Sequence, residues 1–154
     1  MVQKWAVMTG GTRNIGQAFG RRLLDDGFRV MALDILEPED LDLQADAIKA
    51  DLSDRTIAEQ VFAGIAAKHP FTALVNNVGI VRPALFDDVH IDYFETLLKL
   101  NTRTALIVSN ALVPVMRNLG GGRIVMNTSR VTFGKEACSR YSASKGALQA
   151  MART

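Results

Sequence analysis

The sequence predicts an α/β fold: a doubly wound parallel sheet in three layers, with helices on both faces. Three observations predict it. Short apolar runs of strand length alternate with stretches whose apolar residues recur at helical spacing. The runs are apolar throughout, as strands buried on both faces are. The polar residues of most chemical interest fall just after the runs, at Thr9–Gly16, Asp34, Asp51, Asn76–Gly79 and Ser129. In a parallel sheet that is the ligand-binding end.

Taken in order, Ala6-Val7-Met8 is the first buried strand, ended by Thr9-Gly10-Gly11. Ile15, Ala18, Phe19 and Leu23 then share one helix face, and Gly27, able to take positive φ, ends that helix. Val30-Met31-Ala32-Leu33 is the second strand, closed by Asp34. The stretch from Ile35 to Ala45, rich in acids and holding Pro38, reads as loop, and Ala47-Ile48-Lys49 as a short third strand. Ser53 or Asp54 caps the next helix, whose inner face is Ile57, Ala58, Val61, Phe62 and Ile65. Ala73-Leu74-Val75 is the fourth strand. A long helical region follows from about Asp92 to Met116, with a bend near Asn101. Arg123-Ile124-Val125-Met126 is the fifth strand. The last helix begins near Ser139 and is expected to run to Thr154. Right-handed crossovers wind these units into one sheet.

The 154 residues fit one domain, 1–154, and 48% apolar content is enough for a buried core. A net charge of +2, with Lys and Arg scattered, argues against a nucleic-acid partner. Cys138 is the one cysteine, so no internal disulfide forms, which fits a reducing compartment. With no base arranged beside it, Cys138 reads as a loop thiol. Lys4 is followed by only a short apolar run before Thr9, unlike a secretory leader, and no apolar stretch approaches the ~20 residues of a membrane span. The expected location is therefore cytoplasmic. His69 and His90 are too far apart and too poor in acidic or thiol company for a metal site, so none is expected.

The turn Thr9-Gly10-Gly11-Thr12-Arg13-Asn14-Ile15-Gly16 joins the first strand to the first helix. Glycines there let the backbone approach a pyrophosphate, while the helix start offers N–H groups and a positive dipole end. Asp34 lies 18 residues after Gly16, near the offset expected for an acid that binds the adenosine ribose. Together these make the fold Rossmann-type and the ligand a dinucleotide.

The chain resembles the short-chain dehydrogenase/reductase family along essentially its whole length. The family's Thr-Gly-x-x-x-Gly-x-Gly turn is matched at Thr9, Gly10 and Gly16, with Asn14 in place of the middle glycine. Asparagine is the non-glycine residue that best tolerates left-handed backbone, so the turn survives. Asp51-Leu52 resembles the adenine-contacting site. Asn76-Asn77-Val78-Gly79 resembles Asn-Asn-Ala-Gly, and Tyr141-Ser142-Ala143-Ser144-Lys145 is a Tyr-x-x-x-Lys motif. The resemblance implies a catalytic set of Asn101, Ser129, Tyr141 and Lys145. It implies cofactor contacts from Gly10, Thr12, Arg13, Asn14, Ile15, Gly16, Asp34, Ile35, Asp51, Leu52, Asn77, Val78, Gly79, Tyr141 and Lys145. Ser129 and Tyr141 are 12 apart, one fewer than the commoner family spacing, which leaves Thr128 as the rival for the serine's role. The family continues beyond the Tyr-x-x-x-Lys helix, so the sheet is expected to be incomplete on its C-terminal side. The chain then reads as part of a longer enzyme.

Tyr141 and Lys145, four apart, share a helix face. A tyrosine pKa near 10 must fall to about 7 for base catalysis at neutral pH, which takes roughly 4 kcal/mol. One positive charge at ~4 Å supplies about that at an effective dielectric near 20. Lys145 and the ring of oxidised nicotinamide are the two charges expected to do so. By resemblance, Lys145 also holds the nicotinamide ribose, Ser129 bonds the substrate oxygen, and Asn101 anchors a water.

Asp34 predicts NAD, since it accepts from a free ribose diol and repels a 2′-phosphate. By resemblance, Arg13 points the other way, to NADP, since many NADP-using relatives carry a basic residue just before the middle glycine. Asp34 weighs more, because an arginine can swing aside while a closed like-charge contact cannot be relieved. The expected activity is hydride transfer between the nicotinamide and a small-molecule alcohol or ketone, with Tyr141 as general acid/base. The rival is a non-catalytic dinucleotide-binding or interaction module. The resemblance further implies a homodimer or homotetramer, formed through the helices carrying Asn101 and Tyr141.

Overall fold

The computed structural model describes residues 3–44 and 46–154. Its five strands are β1 (Lys4–Thr9), β2 (Phe28–Asp34), β3 (Ile48–Lys49), β4 (Phe71–Asn76) and β5 (Arg123–Met126). All pairings are parallel, in the order β3-β2-β1-β4-β5. The helices are α1 (Asn14–Asp25), α2 (Leu41–Gln44), α3 (Arg55–Ala66), α4 (Ile91–Leu97), α5 (Thr104–Asn118) and α6 (Ser139–Met151). This is the expected doubly wound Rossmann-type sheet. The chain winds outward through β2 and β3, then crosses back to place β4 beside β1. The reversal between β1 and β4 opens the crevice where such sheets bind ligands.

Successive strand residues feed opposite faces, and both faces are buried. Val7, Met31, Leu33 and Leu74 pack against Ala58, Phe62 and Ile65 of α3 and Val108, Leu112 and Met116 of α5. Their neighbours Met8, Val30, Ala32 and Val75 pack against Leu43 and against Phe19, Leu23 and Leu24 of α1. The central strands therefore lie between two helical layers.

Four expectations need correction. The stretch read as loop from Ile35 holds the one-turn helix α2 (Ala45 lies outside the described residues). Asp40 starts α2, its Oδ1 accepting from the Asp42 N–H at 3.0 Å. One turn is too short to show a period, yet it seats fully buried Leu43 under Gly20. The inner face of α1 is centred on Gly16 and Gly20; Ile15 is 63% exposed and Ala18 faces solvent. The small residues let the helix lie close to the sheet. In α3, Asp54 is the cap, its Oδ1 accepting from Ile57 N–H at 3.0 Å, and Ile57 itself is exposed. The last helix ends at Met151, where Arg153 and Thr154 N–H bond carbonyls three residues back and tighten the final turn.

The bend near Asn101 is a π-helical turn, Leu98–Arg103, between α4 and α5. Gly27 closes the α1–β2 turn at φ +80°, as expected. Among the described residues no helix is long and apolar enough to cross a membrane.

Candidate active site

The glycine turn is held by its neighbours. Gly10, at φ +68°, donates its N–H to Leu33 O at 2.7 Å, and a Cβ there would stand 2.8 Å from Val78 Cα. A methyl on Gly16 would overlap the Gly10 carbonyl oxygen. Asn14 sits at φ +50°, the left-handed backbone its place in the turn demands. Thr9 Oγ1 accepts from the N–H groups of Asn77 and Val78 at 3.2 Å each, tying the turn to the end of β4.

Helix α1 starts without a side-chain cap, and the N–H groups of Asn14, Ile15 and Gly16 have no acceptor among the described residues. Uncapped donors at a helix start fit an anionic group such as a pyrophosphate. Asp34 closes β2 beside them. Its Oδ2 accepts from Thr12 Oγ1 at 2.8 Å and Thr12 N–H at 3.3 Å, while Oδ1 has only the Leu36 N–H at 3.4 Å. One carboxylate oxygen is thus fixed and the other is available to a hydroxyl donor. Arg13 makes no ion pair among the described residues.

One open cleft of about 370 Å³ joins these parts. Of the predicted residues, Gly10, Arg13, Asn14, Ile15, Gly16, Asp34, Ile35, Asn77, Val78, Gly79, Tyr141 and Lys145 line it. Thr12 stands behind the lining, bonded to Asp34. Asp51 is exposed and turned onto Ser53, whose hydroxyl donates at 2.6 Å and holds the carboxyl below its usual range. The Leu52 side chain is in the core.

At the other end of the cleft, Asn101 is 1% exposed. Its Oδ1 accepts from Ile80 N–H at 2.8 Å, and its Nδ2 donates to Ile80 O and Ser144 Oγ, each at 3.0 Å. The π turn presents this amide sideways to the loop after β4 and to α6 together. A Cβ on Gly79 would lie 3.1 Å from Lys145 Nζ and 3.2 Å from Asn101 Oδ1, so both groups converge on that glycine. Lys145 is 2% exposed, and burial pushes its ammonium down to about 8. Ser129 stands at the start of a short 3₁₀ turn, and its hydroxyl acts on the Tyr141 phenol in the lowering direction.

The expected lowering of the Tyr141 pKa by Lys145 is not found. Burial pushes the phenol above its usual range, and the nearby Ser129 hydroxyl offsets this only in part. The Lys145 ammonium stands 6.0 Å from the ring centroid and donates to Asn127 O at 2.9 Å. One of its three N–H donors is taken by that carbonyl.

Asn127 is the residue the sequence reading missed. It lines the cleft, its carbonyl holds Lys145, and its Nδ2 donates to Asn77 Oδ1 at 2.7 Å. Asn77 Nδ2 in turn donates to Gly10 O at 2.7 Å. A continuous chain of bonds therefore runs from the glycine turn to Lys145. The signal was available, since Asn127 is the first polar residue after the apolar run of β5. Ile80 and Leu100, also in the lining, carry no such signal.

Fold and cleft together define a Rossmann-type domain with a Tyr–Lys pair at one end of its groove. The sequence pattern of the family described as short chain dehydrogenase matches residues 4–154, and the chain belongs to that family. It is 30% identical to a 3-beta-hydroxysteroid dehydrogenase of Comamonas testosteroni, over 97% of this chain and 62% of the relative. A Beutenbergia cavernae protein solved with bound NADP superposes with a TM-score of 0.87 at 29% identity, covering 97% of this chain and 64% of that one. A Brucella ovis oxidoreductase of the short-chain family, solved with partially ordered NAD, gives a TM-score of 0.85 at 26% identity, covering 99% and 75%. The chain spans 62–66% of the length of the curated relatives it matches.

Proposed function

We infer that this chain carries the nicotinamide site and the proton-transfer groups of an oxidoreductase acting on an alcohol/carbonyl pair. The observation that carries the reading is the single cleft. It brings an uncapped helix start, an acid with one oxygen held only by a long bond, and the Tyr141–Lys145 pair into one groove.

The N–H groups of Asn14, Ile15 and Gly16 would hold the pyrophosphate, and Asp34 Oδ1 the adenosine ribose. Ile15 and Ile35, apolar and exposed on the cleft, suit the flat faces of an adenine. Asp34 favours NAD, although Arg13, without an ion pair among the described residues, lines the same cleft and would suit a 2′-phosphate. When bound, the nicotinamide supplies or accepts the hydride and, oxidised, brings a positive charge. Tyr141 gives or takes the proton at its phenol oxygen, aligned by Ser129. With Lys145 held by Asn127 and burial raising the phenol, the lowering that base catalysis needs falls on the charge next to the ring in the loaded site. Lys145, near 8, holds a proton it can pass on near neutral pH. Asn101, fixed on three bonds, positions the loop that carries Gly79.

Turnover of secondary alcohols with NAD, and dinucleotide titrations, test the reading on Tyr141→Phe. We expect dinucleotide affinity to persist while turnover falls about 10²–10⁴-fold. Full turnover in the variant would reject the assignment.

Self-association through α4, α5 and α6 as a homodimer or homotetramer is proposed on family likeness.

A further inference from the structure

A second cavity of about 440 Å³ lies between the 82–84 loop, α4 and the start of α6, and shares no lining residue with the dinucleotide cleft. The Tyr93 ring forms its floor. Two guanidinium groups stand over that ring, Arg82 at 4.3 Å and Arg140 at 5.2 Å from the centroid. Arg140 is only 7% exposed. Of its five N–H donors, the bond found is one from Nη2 to Arg82 O, at 3.4 Å.

Neither arginine has a carboxylate partner among the described residues. Two acids do line the cavity. Asp88 stands at the exposed rim beside His90, 3.8 Å away, and Asp92 pairs with neither arginine. A buried cation without a counter-charge is costly, and a ring face compensates it only in part. Placing a second like charge over the same ring adds to that cost. What the arrangement lacks is an anion whose oxygens meet guanidinium N–H groups.

We propose that this cavity binds a small oxyanion, a phosphate or a carboxylate group, held between Arg82 and Arg140 above Tyr93. Arginine forks match the geometry of both groups. The site is separate from the pyrophosphate-binding helix start and does not depend on the proposed reaction.

Calorimetric titration of the chain with inorganic phosphate, and in a second series with citrate, tests this. Saturable binding of at least one anion is expected. Arg82→Ala, at an exposed position that does not endanger folding, should weaken it about tenfold. Arg13→Ala, in the dinucleotide cleft, should leave it unchanged. No saturable binding of either anion would overturn the proposal. So would weakening by Arg13→Ala alone, which places the anion at the α1 start. Salt-sensitive self-association abolished by Arg82→Ala would also overturn it, by assigning the guanidinium groups to a second copy's carboxylates.

Discussion

Replacing Lys145 with methionine removes an ammonium while keeping a side chain of similar length. In the folded chain this ammonium releases its proton near 8, against 10.5 when solvated. Between those values the unfolded chain binds more protons, so stability rises with pH across the window and the burial penalty is relieved. At neutral pH the penalty is about 3 kcal/mol, and roughly 2 kcal/mol of it disappears between pH 7 and pH 9.5. Tyr141 acts oppositely but higher: its raised phenol pKa erodes stability as pH climbs past 10, outside the window. Urea unfolding followed by fluorescence of buried Trp5, the single tryptophan, measures this at each pH. The native chain should gain about 2 kcal/mol from pH 7 to pH 9.5, and Lys145→Met should lose that gain. Parallel curves for the two proteins would refute the claim that Lys145 is held as a buried, destabilised cation.

Three further outcomes follow from the packing. Gly16→Ala forces a methyl into the Gly10 carbonyl and should cost at least about 2 kcal/mol, with loss of dinucleotide binding, by thermal unfolding and titration. Asn14→Gly should leave stability unchanged, whereas Asn14→Ala, at φ +50°, should lose about 1 kcal/mol. Phe62→Ala empties a fully buried site against the sheet and should cost about 3–5 kcal/mol, while dinucleotide affinity measured well below the melting temperature stays within about twofold.

Where hydrophobic pattern decides structure, the sequence was legible. The apolar runs at Ala6, Val30, Ala73 and Arg123 each lie within a strand. The left-handed backbone at Asn14 and the turn at Gly27 were legible because few residues accept positive φ. Short or small features were not. Leu43 lies in a four-residue helix among acids, with no period to reveal it. The α1 face is built on Gly16 and Gly20, which a hydrophobic count passes over in favour of Ile15. The electrostatics of Tyr141 and Lys145 depended on burial and on where the Lys145 ammonium points. The bond to Asn127, 18 residues away in the chain, and the burial of both groups are tertiary features, and four-residue spacing on a helix carries neither.

Paired calorimetric titrations of the chain with NADH and NADPH test the central claim most directly, since the cleft is read as a nicotinamide-dinucleotide site closed by Asp34. The account predicts saturable binding of NADH, with NADPH at least about tenfold weaker because its 2′-phosphate meets the Asp34 carboxylate. Absence of binding by either dinucleotide, or tighter binding of NADPH, would contradict it.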